Sequence, residues 1–299
     1  MNILIIGANG YTGSYLARSY LNNQHSVQVL LSKNNSVNNL SAMISQGLTV
    51  LGSLDSWSKK KGSQLDAVFS LVGYPINDHE YGDIEHLVGS QLAAHTQALE
   101  IGRQHNCPVV IAGSYWETIR SLNDSALNLY SALNVSSREI ADFFHHKFGV
   151  KTCRILLADT YGPLDWRNKL IPTLLNSSKN SAPYALGSPR QKMAPLFVSD
   201  VIKGLQLGLV SLQQGVNSYS TYQLFPNSVV EISDVVANLE KILGRKILIS
   251  WNERSIVRHE IYDIKRAFVP PPGWSQKVSF LEGLDLSAKA NISILDELQ

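Results

Sequence analysis

The chain has 299 residues, of which 44% are hydrophobic and 17% are charged, and its formal net charge is +2. These proportions are typical of folded globular proteins and exclude a disordered chain, a collagen or a coiled coil as the overall class. With so small a net charge we expect no nucleic-acid partner. Because no apolar run approaches the length of a transmembrane helix, we also expect no membrane partner.

The cysteines and the start of the chain indicate the cellular compartment. Cys107 and Cys153 each lie in or beside an apolar, strand-like run, where a thiol behaves as a small hydrophobic group, so no disulfide framework is predicted. The chain begins almost directly on the apolar run 3–6, with no basic leader and no cleavage site. We therefore expect a cytoplasmic protein.

The first half of the chain alternates short apolar runs with helical patterns, which is typical of βαβ units and a parallel sheet. Apolar runs predict strands over residues 2–6, 26–31, 48–51, 67–72, 109–112 and 152–157. Apolar residues at helical spacing predict a crossover helix over 84–105 and a further helix over 128–146.

The second half is less regular and begins at the break Tyr161-Gly162-Pro163. Its patterns predict helices over 170–175, 197–212 and 232–243, and strands over 218–224 and 247–251. We expect an α/β protein whose Rossmann-type, doubly wound parallel sheet is formed by residues 1–164 and 195–227. Residues 165–194 and 228–299 are expected to form a smaller C-terminal α/β lobe that binds the substrate.

Between the first strand and the first helix lies the segment Gly7-Ala8-Asn9-Gly10-Tyr11-Thr12-Gly13. In such a turn the first glycine permits the bend, the second lets the backbone approach a pyrophosphate, and the third lets the helix pack closely on the strand. Its place between a strand and a helix favours a dinucleotide site over a glycine turn without a ligand. The predicted cofactor contacts are Gly7, Asn9, Gly10, Tyr11, Thr12 and Gly13, together with Leu71 after the fourth strand.

The end of the second strand indicates which cofactor is bound. A free ribose 2′-hydroxyl usually pairs with an Asp or Glu at this place, whereas a 2′-phosphate requires a positive charge. Here the residues are Leu31-Ser32-Lys33-Asn34, without an acid. Ser32 and Lys33 can bind a phosphate, so the sequence favours NADP(H) over NAD(H). An ordinary surface lysine is the alternative interpretation of Lys33.

Several motifs occur in the order seen in extended short-chain dehydrogenases. They are the glycine turn, Ser114 after the fifth strand, Tyr130 on the next helix, Tyr161-Gly162-Pro163, residues 168–172, residues 197–201 and Gly273-Trp274. Over nearly its whole length the chain resembles the NAD(P)-dependent epimerase/dehydratase group of that family, which acts on nucleotide sugars. The short loop between Ser114 and Tyr130 is similar to that of the CDP-abequose and CDP-paratose synthases, which are 4-ketoreductases. The resemblance also implies a homodimer.

The resemblance implies a catalytic pair. Ser114 would hydrogen-bond the substrate carbonyl or hydroxyl, and Tyr130 would exchange the proton while hydride moves to or from the nicotinamide. The family's tyrosine is followed four residues later by a lysine, which lowers the tyrosine pKa and holds the cofactor ribose. Here that residue is Asn134, which can hydrogen-bond a ribose hydroxyl but has no charge. A phenol with a neutral neighbour stays protonated, which favours reduction of a ketone over oxidation of an alcohol.

Two further departures from the family concern the substrate. The Arg-Asp-Phe segment that grips a diphosphate in nucleotide-sugar enzymes is replaced by residues 193–195, which argues against a nucleotide-diphosphate substrate. Arg190, Lys192 or Arg254 could take that role, and a plain surface residue is the alternative interpretation of each. The Asp-Glu pair of 4,6-dehydratases is replaced by Tyr115-Trp116, which argues against water elimination. These two aromatic residues and Tyr74 instead predict an aromatic wall. The predicted substrate contacts are Tyr74, Tyr115, Trp116, Asn168, Arg190 and Arg254.

Other classes of site lack support in the sequence. The 8 histidines show no metal-ligand spacing, and no G-x-S-x-G elbow surrounds a serine, so neither a metal site nor a Ser-His-Asp hydrolase is predicted. The leading interpretation is an NADP-dependent reductase or epimerase of a carbonyl-bearing small molecule, with a nucleotide sugar as one candidate. The alternatives are an enzyme of the same fold with a non-redox isomerisation, cyclisation or lyase step, and a cofactor-sensing protein resembling the NmrA-like regulators.

Overall fold

The computed structural model describes residues 1–31, 40–53, 57, 64–119, 125–178, 182–251 and 263–297. The chain forms two compact units. The first unit consists of Met1–Leu157, Ile202–Leu224 and Ala267–Trp274, and the second of Ala158–Val201, Phe225–Arg266 and Ser275–Gln299. None of the helices in the described ranges has the length and apolarity needed to cross a membrane.

A parallel sheet of seven strands forms the centre of the first unit. Its strands are β1 (Asn2–Ile6), β2 (Ser26–Leu31), β3 (Thr49–Ser53), β4 (Ala67–Ser70), β5 (Val109–Ser114), β6 (Thr152–Leu157) and the eleventh strand of the chain, β11 (Tyr219–Leu224). Their order across the sheet is β11-β6-β5-β4-β1-β2-β3, and every neighbouring pair is parallel. The strand order reverses between β1 and β4, where doubly wound sheets bind dinucleotides. The predicted Rossmann-type sheet is confirmed.

The helices of the first unit cover apolar strands. They are α1 (Tyr11–Asn22), α2 (Ser41–Ile44), α3 (Ile84–Val88), α4 (Ala94–His105), α5 (Leu129–Phe148) and most of α7 (Val198–Gln213). One core cluster, in which α4 and α5 pack on the strands, includes Leu4, Val68, Leu99, Val109 and Phe144, all buried. Nearly continuous burial along the strands is expected of a parallel sheet that is covered on both faces.

The segment 84–105 differs from the single crossover helix that its periodicity predicts. A π-helical turn, Gly89–Ala93, lies between α3 and α4. Apolar periodicity averages over a longer window than one such turn, so the pattern does not reveal it. Gln91 lies within this turn and is buried, 1% exposed.

In the part of the second unit that the structure describes, short paired strands occur together with helices. Strand β7 (Asp159–Tyr161) pairs with β10 (Pro195–Phe197), β8 (Tyr184–Leu186) with β13 (Ile249–Trp251), and β9 (Lys192–Met193) with β12 (Val230–Glu231). Its helices are α6 (Leu170–Ser177), α8 (Ile232–Leu243) and α9 (Phe280–Glu297). Its own core includes Tyr161, Leu174, Val235, Leu239 and Leu284.

Candidate active site

Helix α1 begins directly after the glycine turn. Gly10, which has no side chain, is its N-cap, and its first turn contains no acidic residue. The first N–H groups of a helix have no partner within the helix, and together with the helix dipole they bind anions. The N-terminus of α1 therefore has the donor set that a pyrophosphate requires.

Two glycines of this turn are required by the close approach of the backbone. Gly7 has a φ of 87°, and a Cβ there would lie 3.0 Å from the backbone of Leu71 after β4. A Cβ on Gly13 would clash with the carbonyl oxygen of Gly7. The turn closes through a hydrogen bond from the Gly10 N–H to that oxygen at 3.1 Å. These residues fit the phosphates of a dinucleotide.

The other predicted cofactor contacts lie around the same strand ends. Asn9 and Thr12 are half-buried, and Tyr11 is buried with its ring 5.0 Å from the ring of Tyr15. Leu71 is half-buried, and its N–H donates to the carbonyl of Ile6 at the end of β1. Ser32 and Lys33 lie outside the described residues.

Ser114 and Tyr130 are brought together at the carboxyl end of the sheet. Ser114 is the last residue of β5, Tyr130 is the second residue of α5, and each is 8% exposed. The Ser114 Oγ accepts a hydrogen bond from the Trp116 N–H at 3.3 Å. Because a hydroxyl group is both donor and acceptor, its proton remains available for a second partner.

The electrostatics of the site keep Tyr130 neutral. Burial raises the pKa of the Tyr130 phenol, and this effect exceeds the lowering by hydrogen bonds from Ser114 and Asn134. The negative charge of Glu117 raises the same pKa further. An unperturbed tyrosine already titrates near pH 10, so this phenol is protonated at neutral pH.

Asn134 lies one helical turn after Tyr130, on the same face of α5, and is 1% exposed. Its Nδ2 donates to the backbone carbonyl of Tyr130 at 2.9 Å. Its Oδ1 has no hydrogen-bond partner among the residues that the structure describes. A buried acceptor without a partner is costly, and a hydroxyl group such as that of a ribose would satisfy it.

Gln91 is a candidate site residue that the sequence patterns did not reveal. It lies in the π-helical turn, and its Nε2 has no hydrogen-bond partner within the described part of the chain. A Cβ on Gly73, just after β4, would lie 3.5 Å from this Nε2 and 3.8 Å from the hydroxyl oxygen of Tyr130. In a helical pattern, a polar glutamine is predicted to lie at the surface. The burial of Gln91 is therefore apparent only once the π-helical turn is known.

The predicted aromatic wall is partly assembled. Tyr74 and Trp116 pack in one hydrophobic cluster with Tyr130, and the rings of Trp116 and Tyr130 lie 6.0 Å apart at 88°. Both Tyr74 and Trp116 are half-buried. Tyr115 contacts Trp116 with a ring separation of 6.4 Å but is only 3% exposed. Half-buried aromatic faces can contact a ligand, whereas Tyr115 is part of the core.

Two of the remaining predicted substrate residues, Asn168 and Arg190, lie in the second unit. The exposed Asn168 accepts a hydrogen bond at its Oδ1 from the Thr173 hydroxyl at 3.1 Å. Arg190 is exposed, and its N–H donates to the Ser188 hydroxyl at 3.3 Å. Arg254 lies outside the described residues. Across the described ranges, no three histidine, cysteine, aspartate or glutamate side chains meet in a way that could hold a metal ion.

Glu117 and Arg154 form a buried ion pair next to Ser114 that the sequence analysis missed. Arg154 donates two hydrogen bonds to the Glu117 carboxylate, each 3.1 Å long. The available signal is an arginine inside the apolar strand Thr152–Leu157, because a fully buried arginine requires a partner. The spacing of residues along the chain does not say which acid that partner is.

Solved structures of nucleotide-sugar enzymes share the fold. The UDP-glucuronic acid 4-epimerase from Bacillus cereus, in complex with UDP-glucuronic acid and NAD, superposes with a TM-score of 0.81 at 16% identity, over 98% of this chain and 100% of that chain. The UDP-N-acetylglucosamine 4-epimerase from Methanobrevibacter ruminantium M1, in complex with UDP-N-acetylmuramic acid, superposes with a TM-score of 0.77 at 16% identity, over 98% of each chain.

Sequence comparison identifies the family. The CDP-abequose synthase of Yersinia pseudotuberculosis is 22% identical over 257 residues, which cover 81% of this chain and 84% of that protein. The profile of the NAD dependent epimerase/dehydratase family matches residues 3–221. The chain therefore belongs to the NAD dependent epimerase/dehydratase family and is an NAD(P)-dependent enzyme of the extended short-chain dehydrogenase type.

Proposed function

We propose that this enzyme reduces a keto group on a nucleotide-linked sugar, with NADP(H) favoured over NAD(H), and that Ser114 and Tyr130 are its catalytic residues. Family membership and the similarity to a CDP-abequose synthase support the substrate class. The observation that carries the direction of the reaction is the burial of Tyr130, which raises the pKa of its phenol, with the neutral Asn134 one turn away.

The cofactor would be held by the glycine turn, by Asn134 and by the end of the second strand. The N-terminus of α1 and the glycine turn would bind the pyrophosphate, and the Asn134 Oδ1 would accept a hydrogen bond from a ribose hydroxyl. Ser32 and Lys33 would bind the 2′-phosphate of NADP. When bound, the reduced nicotinamide supplies the hydride for the carbonyl carbon.

The chain itself would supply the proton and the alignment. The Ser114 hydroxyl, whose acceptor side is engaged by the Trp116 N–H, donates a hydrogen bond to the carbonyl oxygen and orients it. Tyr130 gives its phenolic proton to the same oxygen as the C=O double bond becomes a single bond. The ketone becomes a secondary alcohol, and the phenolate recovers a proton from solvent. The reverse reaction needs the phenolate as a base, which the raised pKa of Tyr130 makes scarce.

Replacement of the proton donor tests this proposal. We expect Tyr130→Phe to lower the turnover of CDP- and UDP-linked 4-keto sugars by about a hundredfold or more, because general acid catalysis is typically worth that much. NADPH affinity should stay within a few-fold of wild type, since in this proposal the Tyr130 phenol donates a proton and does not bind the cofactor phosphates. Turnover is followed by the loss of NADPH absorbance together with chromatography of the sugar product.

Three results would contradict the proposal. Unimpaired turnover by Tyr130→Phe would remove Tyr130 from the mechanism. Sugar conversion by protein stripped of nicotinamide would indicate the non-redox alternative. Tight NADPH binding without conversion of any keto sugar would favour the cofactor-sensing alternative.

A further inference from the structure

The buried ion pair of Glu117 and Arg154 connects the two elements that carry the proposed catalytic residues. Arg154 lies in the middle of β6 with 0% of its side chain exposed, and Glu117 lies in the 3-10 turn after β5 with 3% exposed. Two parallel N–H···O bonds join a planar guanidinium to a carboxylate in one geometry only. The pair therefore fixes the relative orientation of the two side chains as well as the distance between them.

The acidic end of the pair holds the turn that presents Ser114. The Glu117 Oε1 accepts a hydrogen bond from the backbone N–H of Ser114 at 3.3 Å, and the Ser114 Oγ caps the same turn at the N–H of Trp116. The orientation of the serine hydroxyl thus depends on where the Glu117 carboxylate lies.

The basic end of the pair holds the helix that carries Tyr130 and Asn134. The Arg154 Nη2 donates to the backbone carbonyl of Asn134 at 3.1 Å and lies 3.4 Å from the Ser137 hydroxyl. The same nitrogen also donates to Glu117, so one guanidinium group links β5, β6 and α5.

The backbone is shaped to admit this pair. A Cβ on Gly113 would lie 2.6 Å from the Glu117 Oε1 and 3.2 Å from the Arg154 Nη2. The same Cβ would lie 2.8 Å from the Leu156 Cδ2, so a side chain at that position would require these neighbours to shift. The absence of a side chain beside the pair is an observation independent of the hydrogen bonds.

Stability alone does not account for a buried ion pair. Taking both charges out of water costs about as much as their attraction returns, so apolar residues of similar volume are often equally stable. A fixed geometry is what an apolar replacement would lose.

We propose that the Glu117–Arg154 ion pair is a positioning device that sets the hydroxyl of Ser114 against Tyr130 and Asn134. This inference rests on the proposed function, in which Ser114 and Tyr130 act on one carbonyl oxygen. Neither Glu117 nor Arg154 touches the reacting atoms in this scheme, and both act through the residues they hold.

Two variants separate position from stability. The double variant E117L/R154M removes both charges together, so we expect its melting temperature to stay close to wild type. Its kcat with a 4-keto sugar should fall about 10- to 100-fold, because small displacements of catalytic groups cost that much, while the KM values change little. E117Q keeps an oxygen for the Ser114 N–H but leaves Arg154 without a counter-charge. It should melt at a lower temperature and retain more of the wild-type kcat than the double variant.

A matched control and a second readout complete the test. Leu209→Ala removes a buried side chain of α7 and lowers stability without touching the pair, so its kcat should stay at the wild-type value. Amide hydrogen exchange should rise in the double variant at residues 114–118 and in the first turns of α5, and stay unchanged in α7. This local rise requires no substrate, so it tests the positioning contacts even if the wild-type protein reduces no keto sugar.

The outcomes are distinct. A double variant with wild-type kcat, or with no local rise in exchange, would overturn the positioning role. The expected rise in exchange in a protein without keto-sugar turnover would instead overturn the proposed function and leave the positioning contacts supported.

Discussion

At the scale of single residues, burial is the largest influence on the pKa of Tyr130, and the neighbouring Asn134 adds no charge to oppose it. We predict that Asn134→Lys lowers the pKa of the Tyr130 phenol, since a nearby cation favours the phenolate. Alcohol oxidation should then gain relative to ketone reduction, and its activity should extend to lower pH. The measurement is the pH profile of kcat in both directions.

Methionine, which is neutral and similar in length to lysine, provides the control for this substitution. Asn134→Met removes the amide without adding a charge, so its two rates should fall together. An equal gain in oxidation for Met and Lys would show that size, rather than charge, acts at this position.

His95 is a second residue whose environment makes a measurable prediction. Burial, and then the positive charge of Arg154, lower the pKa of His95 from 6.5 to about 3. The folded state therefore binds fewer protons than the unfolded state between these pH values. The contribution of His95 to stability is fully present above pH 6.5 and is lost as the pH falls towards 3.

Urea unfolding across this pH range checks the prediction. We expect His95→Gln to reduce the acid slope of the unfolding free energy by up to about 1.4 kcal/mol per pH unit. A slope in His95→Gln equal to that of wild type would refute the assignment.

The sequence predicts some site residues better than others for a physical reason. The family resemblance predicts Ser114 and Tyr130 as site residues, and the two lie close together because the end of a strand and the start of the next helix meet at one edge of a parallel sheet. The partner of Arg154 could not be predicted in this way, since it comes from a turn that only the folded sheet brings near. Gln91 required knowledge of the local π-helical turn.

At the scale of elements, the strand–turn–helix unit at the N-terminus is the part that the sequence predicts most completely. We predict that Gly13→Ala lowers the unfolding free energy by about 2–3 kcal/mol and abolishes NADPH binding. The reason is that its Cβ would clash with the Gly7 carbonyl oxygen and push α1 away from β1. Chemical denaturation and NADPH titration measure the two effects.

The matched control for this element is a glycine in open space. Gly82→Ala lies in a 3-10 turn where a Cβ would meet no atom within 4 Å, so it should change stability by less than about 1 kcal/mol and leave binding intact. Similar losses in both variants would mean that the close approach of α1 to β1 is not what Gly13 protects.

Strands of the second unit show where sequence patterns become insufficient. Residues 247–251 predict a strand, and the structure has Ile249–Trp251 paired with Tyr184–Leu186. The latter segment reads as a loop bracketed by Pro183 and Pro189, because three residues are too few to show an alternation. Such pairs form through tertiary contacts rather than through local propensity.

At the scale of the whole molecule, the preference for one cofactor can be measured as a gain in stability, because any ligand that binds only the folded state stabilises it. A ligand at a hundredfold excess over its Kd adds about 2.7 kcal/mol, and a tenfold difference in Kd changes this by about 1.4 kcal/mol. We predict that NADPH raises the melting temperature more than NADH does at the same concentration.

Lys33→Ala tests the cause of that preference. If Lys33 binds the 2′-phosphate, the substitution should reduce the NADPH-induced rise to the level of NADH and leave the NADH-induced rise unchanged. Lys289→Ala, at an exposed lysine of α9, controls for the loss of one positive charge and should preserve the preference. Equal rises with NADH and NADPH in the wild-type protein would remove the preference itself. A preference that survives Lys33→Ala would show that another group recognises the 2′-phosphate.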